Sequence, residues 1–324
     1  MKIAILDDYQ GLALELADWS QLPLGSSVTV FREHLRTVEE AARVLAPFDI
    51  ICLLRERMAV PRELIGQLPN LKFIAATGPH NRTIDFQAAA ERGILISHTS
   101  VPGSVSHDTI EMTWGLILNV ARHIAVENSA MQRGEWQTTL GTLLNGKILG
   151  LLGLGRLGSE VARIGRAFGM DVIAWSENLT EERAHQASVR KVARDELFRL
   201  ADILSIHLVL GDRSRGIVGR DEFSLMKKTA YLINTSRGAI IREEDLLDAL
   251  DRKMIAGAAL DVYEHEPLPR EHRLRYAPGT LLTPHLGYVT RETLSGFYGD
   301  TVENICAFLK GAPIRPLGLA PQSV

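Results

Sequence analysis

The sequence predicts an α/β protein made of two doubly wound domains, each with a parallel sheet. Short apolar runs alternate with amphipathic stretches along the whole chain, which is the pattern of consecutive βα units. The runs are apolar throughout rather than at every second residue, as expected where helices cover both faces of a parallel sheet. The length of 324 residues suits two domains, because single cores stop growing near roughly 250–300 residues.

Two series of strands are predicted, and the turn-rich stretch "HTSVPGS" near residue 100 separates them. The first series comprises Ile3–Leu6, Ile50–Leu54, Phe73–Ala76 and Ile94–Ser97. The second comprises Ile148–Leu152, Val172–Trp175, Ile203–His207, Tyr231–Asn234 and Ala256–Asp261. Long helices are predicted over 105–124 and 291–310, the latter ended by a glycine and a proline. We therefore expect one domain from residues 1–100 plus 291–324 and another from residues 101–290.

Composition excludes several classes of protein. A formal net charge of −3 gives no reason to expect a nucleic-acid or membrane surface. The N-terminus "MKIAILDD" turns acidic too early for a signal peptide, and no stretch approaches the ~18 apolar residues of a membrane span. Cys52 and Cys306 both lie in apolar surroundings, so we expect two buried free thiols and a cytoplasmic protein.

A glycine-rich turn is the strongest local motif. Gly153, Gly155 and Gly158 form GxGxxG between an apolar strand and an amphipathic helix. In a dinucleotide-binding turn the first glycine permits the tight bend and the second lets the backbone approach a pyrophosphate. The third lets the helix pack close to the sheet, with its N-terminal amides facing the anion. The alternative is a glycine-rich βα turn without a ligand.

The second strand of this unit does not end in the acid that usually follows such a turn. Ser176 occupies that place, with Glu177 and Asn178 after it and no Arg or Lys directly following. A carboxylate there would hold a ribose 2′-hydroxyl and repel a 2′-phosphate. The choice between NAD and NADP therefore stays open at this point, with NAD slightly favoured by Glu177.

Four motifs give the chain a family resemblance. They are "GEWQTTLGTLLNGKILGLLGLGRLG", "YLINTSRGAIIREEDLLDAL", "AGAALDVYEHEPLP" and "TPHLGY", in this order. The chain resembles the D-isomer-specific 2-hydroxyacid dehydrogenases over nearly its whole length. The resemblance implies a Rossmann cofactor domain inserted into a flavodoxin-like substrate domain, and a homodimer supported by the helix predicted over 105–124. It also implies an NAD(P)-dependent oxidoreductase that interconverts a small 2-keto acid and its D-2-hydroxy acid.

Three polar residues late in the chain are the candidate catalytic groups. The resemblance implies that Arg237 binds the substrate, that His285 is the acid–base and that Glu266 is its partner. The chemistry agrees, because reducing a 2-keto acid requires a proton donor for the forming alkoxide and a cation for the carboxylate. Histidine exchanges protons near neutral pH, and arginine offers a charged planar fork that matches a carboxylate.

Each assignment has a plainer alternative. Arg237 could be a surface arginine, Glu266 one of several solvated acids and His285 a core histidine. His265 and His272 compete for the histidine role, although they lie in a charged run.

The remaining cofactor residues are predicted from the glycine turn and from the resemblance. By resemblance Asp261 faces the nicotinamide amide, and Thr235, Ser236, His207 and Leu208 line the same crevice. The full predicted set is Gly153, Gly155, Arg156, Leu157, Gly158, Ser176, His207, Leu208, Thr235, Ser236, Asp261 and Gly287. Val209 replaces the proline of the family's His-x-Pro, so the loop after His207 departs from the family pattern.

The substrate side departs most from the family pattern. Where the family commonly has Gly-x-Gly-x-Asp-Asn, this chain keeps Gly78, followed by Pro79 and then His80 in place of the second glycine. Arg55 matches a family position that can contact the substrate, the alternative being a solvated charged loop. The predicted substrate-binding set is Arg55, Gly78, Pro79, His80 and Arg237. The side chain at residue 80 is expected to change the shape or polarity of the substrate pocket relative to the family. The histidines show no spacing typical of a metal site.

Two rival functions belong to other classes. A nicotinamide-responsive binding protein, similar to family-related corepressors, would keep the same three polar residues without significant turnover. A methyltransferase would use the glycine turn for S-adenosylmethionine, but it would not need the downstream motifs.

Overall fold

The computed structural model describes residues 1–100 and 107–318 and divides into two compact units. One unit comprises Met1–Ser104 and Thr290–Val324, and the other comprises Val105–Val289. The described residues form twelve strands: β1 Lys2–Ile5, β2 Ser27–Val30, β3 Ile50–Leu53, β4 Phe73–Ala76, β5 Leu95–His98, β6 Ile148–Leu152, β7 Asp171–Trp175, β8 Arg190–Lys191, β9 Ile203–Ile206, β10 Tyr231–Asn234, β11 Gly257–Leu260 and β12 Thr280–Leu282.

Helices connect most of these strands. The described α-helices are α1 Ala13–Leu16, α2 Val38–Leu45, α3 Arg62–Gly66, α4 Phe86–Glu91, α5 His107–Arg122, α6 Ile124–Gln132, α7 Arg156–Ala167, α8 Glu181–Gln186, α9 Arg194–Leu200, α10 Arg220–Leu225, α11 Glu243–Asp251 and α12 Arg291–Leu309. Short 3₁₀ helices span Trp19–Gln21, Gly238–Ile240 and Arg273–Arg275.

The first unit contains a parallel five-stranded sheet in the order β2-β1-β3-β4-β5, which is the flavodoxin-like order. Strands β3 and β4 are buried along their whole length, so their continuous apolar runs follow from helices on both faces. The C-terminal helix α12 belongs to this unit, because Phe308 stacks on Phe73 with ring centroids 4.5 Å apart. Asn304 also donates to the carbonyl of His98 at 2.8 Å.

The second unit contains a parallel seven-stranded sheet in the order β12-β11-β10-β9-β6-β7-β8. Its six strands from β8 to β11 have the Rossmann order, with the switch point between β6 and β9. Two apolar clusters form its core: one includes Leu197 and Leu246 from α9 and α11, and the other includes Ile117 and Val161 from α5 and α7. The prediction of two doubly wound parallel sheets is confirmed.

Several elements differ from the sequence prediction. Strands β2, β8 and β12 were not predicted, because none of them is fully buried and their sequences have no continuous apolar run. The helix predicted over 105–124 ends at Arg122, since His123 takes a left-handed conformation with φ of 53° before α6 begins. The first two residues of that prediction lie outside the described residues.

Three features outside the sheets bear on the predictions. Cys52 is buried as predicted, whereas Cys306 is only half-buried, and both thiols are free. No helix among the described residues is long and apolar enough to cross a membrane. Residues 1–100 and 107–318 also contain no group of three side chains suited to hold a metal ion.

Candidate active site

The three predicted catalytic residues lie on loops that follow neighbouring strands. Arg237 follows β10, Glu266 follows β11 and His285 follows β12, and these strands are adjacent in the sheet of the second unit. Their carboxyl ends therefore meet at one edge, which is where open α/β sheets bind ligands.

Glu266 and His285 form a hydrogen-bonded pair. The Nδ1 atom of His285 lies 2.5 Å from Oε2 of Glu266, and the two side chains are 27% and 29% exposed. The other carboxylate oxygen of Glu266 accepts from the backbone N–H of Tyr263 at 2.9 Å. An ionised carboxylate accepts hydrogen bonds only, so Nδ1 carries the proton toward Glu266 and Nε2 remains for exchange with a ligand. The predicted partnership of these two side chains is therefore present in the geometry.

The neighbouring histidines do not compete for this place. His272 pairs with Glu243 through Nε2 at 3.0 Å and caps the 3₁₀ helix Arg273–Arg275. His265 is exposed on the loop before Glu266.

Asp261 anchors the loop that carries His285. This fully buried carboxylate accepts from the hydroxyl of Thr283 at 2.6 Å and from the backbone N–H groups of Leu286 and Gly287, each at 2.8 Å. Burial raises the pKa of Asp261, while these three hydrogen bonds and the nearby His285 ring oppose the rise. Three donors that flank His285 on both sides thus converge on one carboxylate.

His285 itself has a backbone conformation that needs support. Its φ is 54°, in the left-handed region that costs a non-glycine residue about 1–2 kcal/mol. Its backbone N–H donates to the carbonyl of Thr283 at 3.0 Å, and its ring contacts Tyr288 edge-on with centroids 5.3 Å apart. The Tyr263 hydroxyl adds a further link, because it lies 2.9 Å from the Thr283 carbonyl and 3.1 Å from the Leu260 carbonyl. The hydrogen bonds to Asp261 therefore hold a conformation that a free loop would seldom adopt.

The loop that carries Arg237 is shaped by Asn234 and Gly238. The buried Asn234 side chain donates to the carbonyl of Arg237 and accepts from the N–H of Ser236, each at 3.0 Å. A Cβ at Gly238 would lie 2.0 Å from the carbonyl carbon of Tyr263, so only glycine allows this close approach. Gly238 thus packs the Arg237 loop directly against the loop that leads to Glu266. Neither Asn234 nor Gly238 was predicted as a site residue, although both belong to the motif "NTSRG".

Arg237 lies at the start of the 3₁₀ helix Gly238–Ile240. Its Nη1 donates to the carbonyl of Ser236 at 2.8 Å, and the side chain is partly buried.

The glycine turn has the geometry expected of a dinucleotide-binding loop. Gly153 has φ of 108°, and a Cβ there would lie 2.7 Å from the carbonyl oxygen of His207. A Cβ at Gly158 would lie 2.4 Å from the carbonyl oxygen of Gly153, so this glycine lets α7 pack closely on the turn. Around Gly155 no described atom lies within 4 Å of an added Cβ. Internal packing therefore explains why Gly153 and Gly158 are glycines. Gly155 instead keeps space open at the N-terminus of α7, which fits an approaching pyrophosphate.

The residues around this turn have distinct environments. Arg156 is exposed and Leu157 half-buried on the first turn of α7. The Nε2 atom of His207 lies 2.9 Å from the hydroxyl of Ser205, and burial lowers the pKa of His207 to about 4. The hydroxyl of Ser236 donates to the carbonyl of Leu208. This last contact joins the loops after β9 and β10 along the same sheet edge.

Three predicted cofactor residues are engaged inside the protein. Thr235 is buried, and its hydroxyl lies 2.8 Å from that of Thr113 on α5. The carbonyl of Gly287 accepts from the hydroxyl of Thr109 at 2.6 Å, and Asp261 holds the His285 loop as described above. Each of these residues therefore has a structural role, and contact with a cofactor stays a prediction.

A cation that the sequence prediction missed lies next to the glycine turn, which the end of β7 adjoins. Ser176 is half-buried and Glu177 is exposed there. Arg183 on α8 reaches back to the glycine turn, with Nη2 at 3.4 Å from the carbonyl of Leu154. Its position seven residues after Ser176 hides it from a search of the residues directly after the strand.

The predicted substrate residues of the first unit form their own cluster. Arg55 follows β3 with φ of 56°, and its backbone N–H donates to the hydroxyl of Thr77 at 2.6 Å. A Cβ at Gly78 would lie 1.5 Å from Nη1 of Arg55, so this glycine makes room for the guanidinium. Pro79 and His80 are exposed next to it.

Comparisons with known proteins place the chain in a family. Residues 114–287 match the family model described as D-isomer specific 2-hydroxyacid dehydrogenase, NAD binding domain. The chain is 40% identical to a glyoxylate reductase of Aeropyrum pernix over 77% of its own length and 76% of the relative. It is 29% identical to a hydroxypyruvate reductase of Blautia hydrogenotrophica over 97% of its own length and 99% of the relative.

Phosphoglycerate dehydrogenases are also similar. Identity to the D-3-phosphoglycerate dehydrogenase of Bacillus subtilis is 36% over 86% of this chain, which spans only 53% of that relative. A solved structure, the phosphoglycerate oxidoreductase of Vibrio cholerae, superposes with a TM-score of 0.90 at 34% identity and covers 96% of this chain and 100% of that one.

The anchoring role of Asp261 gives a prediction that needs no activity. Asp261→Asn keeps the size of the side chain but replaces one acceptor by a donor, so at least one buried N–H of Leu286 or Gly287 loses its partner. A buried unsatisfied group costs about 1–3 kcal/mol, so we expect amide hydrogen exchange in residues 283–288 to become about ten- to a hundredfold faster. Asp195→Asn, at an exposed side chain on α9, is the control. Unchanged exchange in Asp261→Asn would refute the role of Asp261 in anchoring the His285 loop.

Proposed function

The chain belongs to the D-isomer specific 2-hydroxyacid dehydrogenase family and is an NAD-dependent oxidoreductase, and from that premise we propose that it reduces a small 2-keto acid of the glyoxylate or hydroxypyruvate type. The observation that carries the proposal is the Glu266–His285 pair beside the Arg237 loop, at the ligand-binding edge of the dinucleotide-binding sheet. The names of the two reductases that match along three quarters or more of their length support this substrate class.

His285 is the proposed acid–base. Its Nε2 would give a proton to the oxygen at C2 of the keto acid as the alcohol forms, and would take it back in the reverse direction. Glu266 holds Nδ1 at 2.5 Å and so fixes both the tautomer and the direction in which Nε2 points. Arg237 would bind the substrate carboxylate and polarise the carbonyl with its planar fork.

The nicotinamide cofactor supplies and accepts the hydride. Gly153, Gly155 and Gly158 would hold its pyrophosphate at the N-terminus of α7. The proposed further contacts are Arg156, Leu157, Ser176, His207, Leu208, Thr235, Ser236, Asp261 and Gly287. In the first unit we propose that Arg55, Gly78, Pro79 and His80 bind the substrate. We therefore assign the cofactor role to residues 101–290 and the substrate role to residues 1–100 plus 291–324.

The non-catalytic alternative has less support. The relatives described above are named reductases, dehydrogenases or oxidoreductases, and none of these names refers to a binding protein without turnover. A corepressor-like function is therefore not favoured.

A keto-acid screen tests the proposed function. We expect NADH oxidation with glyoxylate or hydroxypyruvate, weaker oxidation with pyruvate or phosphohydroxypyruvate, and a loss of about 10²–10⁴ in kcat for His285→Ala. Cofactor binding, followed by NADH fluorescence, should survive in the variant because His285 does not lie in the glycine turn. Tight NADH binding without turnover of any keto acid would refute the proposed keto-acid reduction. A fully active His285→Ala variant would refute the role of His285 as the acid–base.

The choice between NAD and NADP depends on Glu177 and Arg183. The ribose 2′ position of a bound dinucleotide lies near the end of the second strand and the glycine turn, where the exposed Glu177 opposes a 2′-phosphate and Arg183 attracts one. We propose that NAD is preferred and NADP tolerated. Arg183→Ala should raise the KM for NADPH about tenfold, the value of one charged contact, and leave that for NADH within about twofold. Equal effects on both constants would remove Arg183 from this role.

A homodimer is proposed through a different surface from the one expected. The large side chains of α5 pack inside their own unit, Trp114 being 5% exposed, so that helix offers little for a partner. The following segment 124–143 instead exposes a group of large apolar side chains: Ile124, Val126, Met131, Trp136, Leu140 and Leu143. Such a concentration is typical of an interface that a second copy covers. We define these six side chains as the apolar segment.

Negative charges introduced into the apolar segment by mutation should dissociate the proposed dimer. Leu140 and Leu143 are 92% and 73% exposed, so Leu140→Glu/Leu143→Glu should fold normally and elute as a monomer in size-exclusion chromatography with light scattering. Leu24→Glu in the first unit, at a side chain that is fully exposed, is the control and should leave the dimer intact. A monomeric wild type, or a double variant that still dimerises, would contradict the proposed surface.

We also propose a cytoplasmic location. Both cysteines are free thiols, which suits a reducing compartment, and burial raises the pKa of the Cys52 thiol, which makes this thiol less reactive.

A further inference from the structure

The second unit contains a cleft that the proposed catalytic and cofactor residues do not line. Its volume is about 540 Å³. It lies where α9, α10 and α11 begin, next to the loop that follows β9. Five arginines and three acids line it: Arg194, Arg213, Arg215, Arg220 and Arg242, with Asp221, Glu222 and Asp245. Such a concentration of guanidinium groups has no use in the proposed reaction.

Two of the acids are already occupied by groups of the protein. Glu222 accepts from Arg194 at 2.6 Å with one oxygen and from the backbone N–H of Gly219 at 2.9 Å with the other. Asp245 accepts from the backbone N–H of Arg220 at 3.1 Å and lies 3.7 Å from the Nε of the same residue. These acids therefore neutralise Arg194 and Arg220 and shape the walls of the cleft.

The other three arginines keep donors for a ligand. Arg242 donates through Nε to the carbonyl of Gly216 at 3.1 Å, an uncharged acceptor that leaves its positive charge unbalanced. Arg215 forms a long ion pair with Glu264, at 3.9 Å, which is beyond hydrogen-bond distance and so leaves its N–H groups available to a ligand. Arg213 forms no ion pair with any residue in the described part of the chain. The Nε of Arg194, in addition, is buried and has no acceptor among the described atoms.

We propose that this cleft, which we call the arginine cleft, binds a phosphate group. Guanidinium groups match the geometry of phosphate oxygens through paired N–H donors and stay charged at every physiological pH. The five arginines outnumber the three acids that line the cleft by two charges, and an excess of guanidinium groups on one concave surface suits a dianion better than a carboxylate, which carries one charge. The phosphate can be free or esterified to a metabolite, since both present the same oxygens. The proposal does not depend on the proposed reaction, because the arginine cleft and the Glu266–His285 pair share no residue.

Titration calorimetry on the full chain tests the arginine cleft. The protein is first saturated with NADH, so that phosphate cannot report on the glycine turn, and is then titrated with inorganic phosphate, glycerol 3-phosphate and glycerol at matched ionic strength. Neither glycerol compound is a 2-hydroxy acid, so neither is a substrate or product of the proposed reaction. We expect both phosphate compounds to bind and glycerol to give no signal. Tighter binding of glycerol 3-phosphate would identify an ester as the ligand, and equal or weaker binding would identify free phosphate. Absence of binding by both phosphate compounds would overturn the proposal.

Variants locate the binding. Arg213→Gln/Arg215→Gln removes two charges from side chains that make no short ion pair, and it should weaken phosphate binding by at least about tenfold. Arg199→Gln, at a 56% exposed side chain on α9 outside the arginine cleft, removes a similar charge and should change the affinity by less than about twofold. Circular dichroism melting shows that both variants are folded. Equal affinities for the wild type and the double variant would place the phosphate elsewhere and overturn the proposal.

Discussion

The buried carboxylate of Asp261 is the interaction on which the site depends. It gathers one hydroxyl and two backbone N–H groups from the residues on either side of His285. Without such an acceptor the loop would have little reason to keep His285 at a positive φ. The ring would then lose the direction that places Nδ1 against Glu266. The chemistry proposed for His285 therefore depends on Asp261, which directly follows β11 and need not contact the substrate.

Close contacts between backbone segments hold the other loops together at the carboxyl ends of the strands in the second unit. Gly238 brings the Arg237 loop against Tyr263 and Glu264, and Gly153 brings the dinucleotide turn against His207. Neither approach leaves room for a Cβ, so these glycines fix the spacing between consecutive loops. The parallel sheet supplies the order of the loops, and the glycines bring each loop into contact with its neighbour. A rigid edge of this kind can hold acid, base and cation in place before a ligand arrives.

The sequence predicted those parts of the fold and site that depend on local patterns. Fully buried strands such as β3 and β6 have continuous apolar runs, and the motifs around Gly153, Arg237 and His285 lie directly after strands. Short strands at the sheet edges have no such run, which is why β8 and β12 were missed. The left-handed break at His123 was also missed, because no glycine or proline marks it. Arg183 and the arginine cleft depend on residues that only folding brings together, so no local pattern contains them.

A double-mutant cycle on Glu266 and His285 tests the central claim most directly. If the carboxylate acts only by holding the imidazole, Glu266→Gln should lower kcat/KM in the wild type but have almost no further effect in His285→Ala. The account predicts that the double variant matches His285→Ala within about twofold. Losses that multiply in the double variant would show that the two side chains act independently, and would contradict the pair as the proton-exchanging unit.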